Sequence, residues 1–329
     1  MRGAGAVAAC GLWTYQPLKL TPLLIVLWLL WIRRTDRAHF DRLARTLRWL
    51  IGGYAVVALP MLVVAVTEPV AYFGRSLQTS PLNPDNGGGF GIGHLLHVAG
   101  MFTVAGDPNP RHNAGALPML GWPLGLVALA GVRRAWRARA TVPAASLLLI
   151  GGAVFLIPPT LAVEGGAPHF LRSVGMAPFV AGMVGMGCVE LRALGSRLGG
   201  VLAAHAATGA AVTVLVGTTA YGISTYVQRP PIQWWYAYSG DTAQMARAAS
   251  PNDTVISDDY SALTVRFLDH DRLPNIAPPS VILHPAAGTA VYARTRQELT
   301  AALGADMAAS ATVAGRDPSG APDIYVVRA

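Results

Sequence analysis

Charged residues are scarce in this chain of 329 amino acids. Asp, Glu, Lys and Arg together make up 13% of it, about half of the share that is usual in a soluble domain, whereas hydrophobic residues make up 53%. This composition, with a mean hydropathy of +0.42, excludes a disordered protein and argues against a plain cytosolic globule. It favours a protein embedded in a lipid bilayer.

Cysteine is nearly absent as well. The two cysteines, Cys10 and Cys188, both lie in apolar segments, so no disulfide framework supports an extracytoplasmic part of the chain. Each is most simply a small residue that is buried or faces lipid.

The sparse charge is unevenly distributed along the chain. Residues 1–220 hold 17 basic and 7 acidic residues, a net charge of +10, whereas residues 221–329 hold 8 and 10, a net charge of −2. We therefore predict a transmembrane helical domain over residues 1–220 and a small extracytoplasmic α/β domain over residues 221–329.

Long stretches without charge fill the first domain. Because roughly 20 helical residues cross the ~30 Å hydrocarbon core, most of these stretches are long enough to span it. They predict an α-helical polytopic membrane bundle of about six to seven membrane helices, and their many prolines favour kinked helices that enclose a cavity. The stretches are Gly3–Trp13, Leu18–Ile32, Trp49–Thr67, Asn113–Val132, Thr141–Val163, Ser173–Val189 and Leu198–Gln228.

Arginines explain the net positive charge. They are concentrated in alternate connections between the apolar stretches, which is typical of cytoplasmic loops. The positive-inside rule thus places residues 68–112, 164–172 and 221–329 outside. We expect the segment 33–48 to form an amphipathic helix on anionic lipid, and no nucleic-acid surface, because the arginines are divided among short loops. These arginines are Arg33, Arg34, Arg37, Arg42, Arg45, Arg48, Arg133, Arg134, Arg137, Arg139, Arg192 and Arg197.

The second domain alternates helical and strand patterns, which is typical of a small α/β fold. The connection into it is rich in aromatic residues, and we expect these to anchor the chain at the membrane interface. The predicted helices are Thr242–Ala249, Tyr260–Leu268 and Arg296–Leu303, the predicted strands are Thr254–Ser257, Ser280–His284, Ala290–Ala293 and Ile324–Arg328, and the aromatic residues are Trp234, Trp235, Tyr236 and Tyr238.

Two predicted outer loops combine histidine with arginine. One reads GDPNPRHN from Gly106 to Asn113, and the other runs from Ala167 to Ser173. An arginine guanidinium matches the geometry of a phosphate group. Because most arginines are predicted in the cytoplasm, cationic side chains in two outer loops favour a site for an anionic group such as a lipid-linked phosphate. The candidate substrate-binding residues are Arg111, His112, Asn113, His169 and Arg172, and Asp107 is the candidate catalytic carboxylate.

Structural explanations compete with this site. The first loop can be an exposed turn in which Asn113 caps the next helix, and Arg172 can extend to the lipid headgroups.

Three other motifs carry weaker signals. Gly89–Gly93 lacks the preceding strand of a nucleotide-binding loop, and Asp269–Asp271 is a short carboxylate pair of a type that is frequent by chance. His94 and His97 lie one helical turn apart without a third ligand, so a structural role is favoured. The sequence identifies no metal ligands and leaves a divalent metal cofactor open.

Three motifs occur in an order that resembles a known family. They are GLWTYQP from Gly11 to Pro17, GDPNPRHN followed by Pro118, and Ala167-Pro168-His169 with Arg172 and Pro178. The chain in this respect resembles bacterial integral-membrane glycosyltransferases of the GT-C fold, family 39, the dolichyl-phosphate-mannose protein mannosyltransferase and ArnT-like group.

The resemblance implies transfer of a sugar from a polyprenyl-phosphate donor, with inversion, on the outer face of the bacterial inner membrane. It also implies a catalytic Asp or Glu in a first outer loop that precedes the segments found here. We therefore expect the chain to correspond to the C-terminal half of such an enzyme, without its catalytic base.

Two other classes of protein remain as alternatives. A transporter or flippase for a lipid-linked or polar solute predicts ionisable residues in mid-membrane and related halves, which the sequence lacks. A non-catalytic membrane scaffold would present the α/β domain to a partner. Loss of sugar transfer on mutation of the outer loops separates the enzyme from both.

Overall fold

The computed structural model describes residues 2–86, 90–269 and 275–329. The chain folds as two compact units, Met1–Tyr226 and Val227–Ala329, a division six residues beyond the one at residue 220 that the charge distribution predicts. Gly89, His270 and Asp271, which belong to two of the weaker motifs, lie outside the described residues.

The first unit is helical. Helix α1 is followed by a short 3-10 helix at Gln16–Leu20, so the predicted separation of the stretches Gly3–Trp13 and Leu18–Ile32 is confirmed. The helices are α1 (Arg2–Thr14), α2 (Thr21–Thr35), α3 (Arg37–Thr67), α4 (Pro69–Thr79), α5 (Ile92–Gly100), α6 (Gly121–Ala138), α7 (Pro143–Leu161), α8 (Phe170–Ser173) and α9 (Ala177–Val227).

Fewer helices than predicted can cross a membrane. Among the described residues, three helical stretches are long and apolar enough: Arg37–Thr67, Pro143–Leu161 and Phe170–Val227. Helices α1 and α2 have 13 and 15 residues, about 20 and 22 Å at 1.5 Å per residue, which is short of the ~30 Å core. Helix α6 has 18 residues but ends in Arg133, Arg134 and Arg137. The prediction of six to seven membrane helices is therefore wrong for the described residues, whereas the helical, apolar character of the unit is confirmed.

Two predicted boundaries shift for identifiable reasons. The segment 33–48 is not a separate helix, because Arg33 and Arg34 end α2 and α3 runs unbroken from Arg37 into the apolar stretch. The Asp36 side chain accepts a hydrogen bond from His39 N at 2.8 Å and so caps α3. In α9, the backbone of Gly199 and Gly200 is not helical, and this kink separates the two apolar stretches that were predicted as distinct helices.

Close helix packing holds the first unit together. Gly131 of α6 lies against the carbonyl of Met183, and Gly187 of α9 lies against the carbonyl of Val127. Because the two glycines have no side chains, the backbones of α6 and α9 can contact each other directly. A buried apolar cluster joins α2, α5, α6, α7 and α9, and includes Leu24, Met101, Leu124, Val127, Val154, Phe155, Met176 and Val184.

Three of the arginine-rich segments meet at one end of the first unit. The indole nitrogens of Trp28 and Trp31, near the end of α2, donate to the carbonyls of Pro143 and Arg139 in the α6–α7 connection, both at 3.0 Å. Glu190 of α9 pairs with Arg133 and Arg134 at the end of α6. The opposite ends of α6 and α7 therefore lie away from these arginines, by about 28 Å along the 19 residues of α7.

The described residues of the second unit form a five-stranded mixed sheet with helices on both faces. The strand order is β2-β1-β3-β5-β4; β1 is parallel to β2 and β3, and β5 is antiparallel to β3 and β4. The strands are β1 (Thr254–Ile256), β2 (Asn275–Ala277), β3 (Ala290–Ala293), β4 (Thr312–Arg316) and β5 (Pro322–Arg328), and the helices are α10 (Pro231–Ala237), α11 (Gly240–Ala248), α12 (Asp259–Asp269), α13 (Arg296–Leu303) and α14 (Ala305–Ala309).

Alternate strand residues face different helices, as the two-residue repeat of a strand requires. Val255 and Tyr292 share an apolar cluster with Met245 of α11 and Val265 of α12. Ile256, Val291 and Val327 share a second cluster with Leu299 of α13 and Ala308 of α14. The predicted α/β arrangement is thus confirmed as a sheet between two helical layers.

Most predicted elements of the second unit are present, but one strand is wrong and two were missed. Residues 280–284 form no strand, because Pro278, Pro279 and Pro285 flank them and remove hydrogen-bond donors. The sheet instead uses β2, just before these prolines, and β4, whose Gly315 and register shifts weaken its strand pattern.

The aromatic residues that precede the sheet divide between two roles. Trp235 Nε1 donates to Asp323 at 2.6 Å, and Tyr236 hydroxyl contacts both Asp317 and Asp323, so these two side chains fasten α10 within the second unit. The rings of Trp234 and Tyr238 stack on each other with centroids 5.4 Å apart. Their role at a membrane interface stays a prediction.

Candidate functional site

The loop between α5 and α6 carries the GDPNPRHN motif. Pro108 and Pro110 prevent it from continuing as a helix, and its own side chains fold it into successive turns. Asp107 Oδ1 accepts from Asn109 N at 2.8 Å, and Asn109 Oδ1 accepts from Arg111 N at 2.9 Å. The result is a loop that is held in shape by its own side chains.

Asn113 holds this loop closed. Its amide Nδ2 donates to the carbonyls of Asp107 at 3.0 Å and Leu117 at 2.8 Å, and its Oδ1 accepts from Ala114 N. The alternative interpretation of Asn113 as the N-cap of the next helix is wrong, because α6 begins only at Gly121.

Asp107 joins the two predicted outer loops. Its side chain is 2% exposed, and Oδ2 accepts from Phe170 N at 2.7 Å and from His112 Nδ1 at 3.0 Å. The same oxygen lies 3.9 Å from His169 Nδ1. One buried carboxylate therefore connects the 106–113 loop to the start of α8, 63 residues further along the chain.

The rings of the two motif histidines lie close together and are tilted by 38° to each other. The ring centroids of His112 and His169 are 4.5 Å apart, and both side chains are largely buried. Burial lowers the pKa of His169 to about 4, assisted by the positive charge of Arg172 and by His112, although Asp107 opposes the shift. His169 is therefore uncharged at neutral pH.

Arg172 is buried beneath the second loop. Its guanidinium donates to the carbonyl of Ala162 at 2.9 Å and lies 3.5 Å from a carboxylate oxygen of Glu164. Between these residues the chain turns through Gly165 and Gly166, both with positive φ, which only glycine adopts without strain. Arg172 thereby holds the 162–169 segment in place and brings a positive charge close to His169.

The structure brings Asp107, His112, Asn113 and His169 into one cluster. Arg111 is half-buried in the same loop, and Arg172 adjoins the cluster from the other loop. Sequence reasoning missed Glu164 and the backbone N–H of Phe170. Glu164 is the one acidic residue of the predicted loop 164–172, so its presence in the same loop as Arg172 could have been used to predict an ion pair. Nothing in the sequence indicates the role of a backbone N–H group.

His94 and His97 do not form a shared site. His94 is buried, and its Nε2 lies 3.0 Å from the carbonyl of Thr160, whereas His97 is exposed. The structural role predicted for this pair fits His94.

One group of side chains in the described part of the chain could hold a metal ion. It consists of Asp107, His112 and His169, whose potential ligand atoms all lie within 4.8 Å of one another. The motifs predict His112 and His169 as substrate-binding residues and Asp107 as the candidate catalytic carboxylate, and they predict none of the three as a metal ligand.

Searches with the chain against protein-family models, curated proteins and solved structures find no match. The class of protein therefore rests on the fold and the site: a helical unit with three stretches able to cross a membrane, an α/β unit, and a buried Asp–His–His cluster.

Proposed function

We propose that the chain is a membrane glycosyltransferase that moves a sugar from a polyprenyl-phosphate donor to an acceptor on the outer face of a bacterial inner membrane. One observation carries the proposal: the two motifs that resemble family 39 meet in space. Asp107 of the first motif accepts from Phe170 N, and the His112 and His169 rings lie in contact. This shared buried carboxylate supports a common role for the two motifs.

The position of the cluster fits a lipid-linked substrate. The first loop precedes α6, the second follows α7, and both helices have their other ends among the arginines. By the positive-inside rule the arginines lie in the cytoplasm, so the cluster lies at the outer membrane surface. A polyprenyl-phosphate sugar holds its phosphate at this level while its lipid tail stays among the helices.

The side chains of the site have complementary tasks in such a transfer. The acceptor hydroxyl oxygen bonds to the anomeric carbon while the bond from that carbon to the phosphate oxygen breaks, and the hydroxyl proton passes to a base. Arg111 and Arg172 stabilise the charge that develops on the leaving phosphate. The resemblance assigns the base to a carboxylate of another outer loop, and Asp107, enclosed by its donors, acts as a positioning residue.

We expect Arg172→Ala to reduce sugar transfer at least about tenfold, because it removes positive charge beside the leaving phosphate and frees the 162–169 segment. The variant is made in the natural gene of the source cell, and transfer from a radiolabelled polyprenyl-phosphate sugar is measured in its membranes at equal protein level. Arg172→Lys should restore little of the sugar transfer, because the lysine side chain lacks the planar guanidinium group that contacts Ala162 and Glu164.

Arg197→Ala is the matched control, because Arg197 is an exposed arginine in the arginine-rich part of α9. It should leave transfer unchanged. Arg111→Ala provides a second arm, because Arg111 is the half-buried arginine of the first loop. Transfer at the wild-type rate in both Arg172→Ala and Arg111→Ala would reject the assignment.

A further inference from the structure

We infer that Asp107, His112 and His169 form a binding site for a divalent transition-metal ion, for which Zn²⁺ is the best match. The binding is argued from the geometry of the three side chains. The role of the ion in holding the donor phosphate rests on the proposed function.

The three ligand atoms already lie near the positions that such an ion requires. Asp107 Oδ2 lies 3.0 Å from His112 Nδ1 and 3.9 Å from His169 Nδ1, and every pair in the set is within 4.8 Å. Zinc-to-ligand bonds of about 2.0–2.2 Å place tetrahedral ligand atoms about 3.3–3.6 Å apart. Small side-chain rotations therefore convert the cluster into three corners of a tetrahedron.

The Nδ1 atom of His169 is available as a ligand atom. Its Nδ1 is buried and has no hydrogen-bond partner among the residues that the structure describes. A buried polar atom without a partner destabilises the fold, and buried nitrogens are rarely left in this state. A metal ion beside Asp107 would satisfy this atom.

The surroundings orient the carboxylate as a ligand requires. Asp107 is held by backbone N–H groups on both of its oxygens, from Asn109 at 2.8 Å and from Phe170 at 2.7 Å. Contacts of this kind fix a metal-binding carboxylate in direction and are worth about 10–100-fold in affinity. On binding, the ion replaces the proton that His112 Nδ1 shares with Asp107.

The ligand set selects the metal and leaves a coordination position open. Two imidazoles and one carboxylate suit Zn²⁺, whereas Mg²⁺ and Ca²⁺ prefer oxygen ligands throughout. Three protein ligands leave a fourth position for an exchangeable group, as in catalytic zinc sites. With one carboxylate against a doubly charged cation, the centre keeps one positive charge, which complements a phosphate oxygen.

The metal content of the purified protein tests this site. The protein is isolated from its own membranes in detergent without a polyhistidine tag, equilibrated with Zn²⁺, freed of loose metal and analysed by mass spectrometry for zinc per chain. We expect about one zinc per wild-type chain and at least a tenfold loss in His112→Ala and His169→Ala. His97→Ala, which removes an exposed histidine of the same unit, should retain the zinc.

Substitution with Co²⁺ separates loss of the site from misfolding. Wild-type protein loaded with Co²⁺ should show the visible absorption bands of a tetrahedral nitrogen and oxygen site, and Zn²⁺ should abolish them by competition. Wild-type protein that retains no zinc and gives no such bands, or variants that bind zinc as the wild type does, would overturn the inference. Zinc binding without sugar transfer would refute the proposed function alone, and transfer without zinc binding would refute the metal site alone.

Discussion

Replacing Asp107 by Ala is expected to abolish sugar transfer, with a loss of more than about 100-fold. The carboxylate is 2% exposed and accepts hydrogen bonds from Asn109 N, His112 Nδ1 and Phe170 N. Its removal leaves buried donors without partners, at about 1–3 kcal/mol each. The two loops then separate, and His112 loses its position beside His169.

The measurement is transfer from a polyprenyl-phosphate sugar in membranes that contain equal amounts of each variant. Asp107→Asn keeps the side-chain shape but offers one acceptor oxygen where the site uses two. We therefore expect its transfer rate to lie between the rates of Asp107→Ala and the wild type. Asp85→Ala is the control, because Asp85 is exposed in the segment between α4 and α5. Wild-type transfer in Asp107→Ala would show that the cluster has no part in the reaction.

Gly187→Leu is expected to prevent the stable assembly of the helical unit. A Cβ atom at Gly187 would overlap the carbonyl of Val127, and Gly131 faces the carbonyl of Met183 in the same way. Inserting even a methylene into a packed core costs about 1–3 kcal/mol, and here the obstacle is backbone that no change of rotamer can move aside. We expect the variant to accumulate poorly in membranes and to unfold at a lower temperature in detergent.

Gly185→Leu is a close control for this experiment. Gly185 lies two residues away on the same helix, is exposed, and has open space where its Cβ would be placed. Equal accumulation and equal unfolding temperature of the Gly185 and Gly187 variants would contradict the close contact of α6 and α9.

The sequence predicts the α/β unit well where burial is strong. The segment 290–293 is apolar throughout and lies in the middle of the sheet, so both of its faces are covered, as its composition requires. The edge strands were harder to predict. Short strands such as β2 gain their structure from the neighbour they pair with, and pairing partners cannot be derived from local pattern.

The helical unit shows a different limit of sequence patterns. An apolar run indicates burial, in lipid or in protein, but does not give the length of the helix. The predicted span Asn113–Val132 begins in a loop, because Asn113 binds the backbone of that loop and α6 starts only at Gly121. Conversely, Arg37–Arg48 was predicted as part of a connection and continues directly into a membrane-length helix.

The sequence predicts which residues belong to the candidate site better than it predicts their arrangement. Residue types and the order of the motifs indicate His112, His169 and the arginines together. They do not indicate that Asp107 would be the buried centre, or that Arg172 would turn toward Ala162 and Glu164. Those contacts depend on how two distant loops pack, which is a property of the tertiary fold.

Transfer of labelled sugar is the most direct test of the central claim that this cluster serves a lipid-linked sugar phosphate. The purified gene product is reconstituted with a radiolabelled polyprenyl-phosphate sugar and an extract of envelope acceptors, and label is followed from the lipid to the acceptor fraction. We predict transfer by the wild type and by His97→Ala, and its loss in Asp107→Ala and His112→Ala. Label that stays on the lipid with wild-type protein, or transfer that continues in both site variants, would contradict the account.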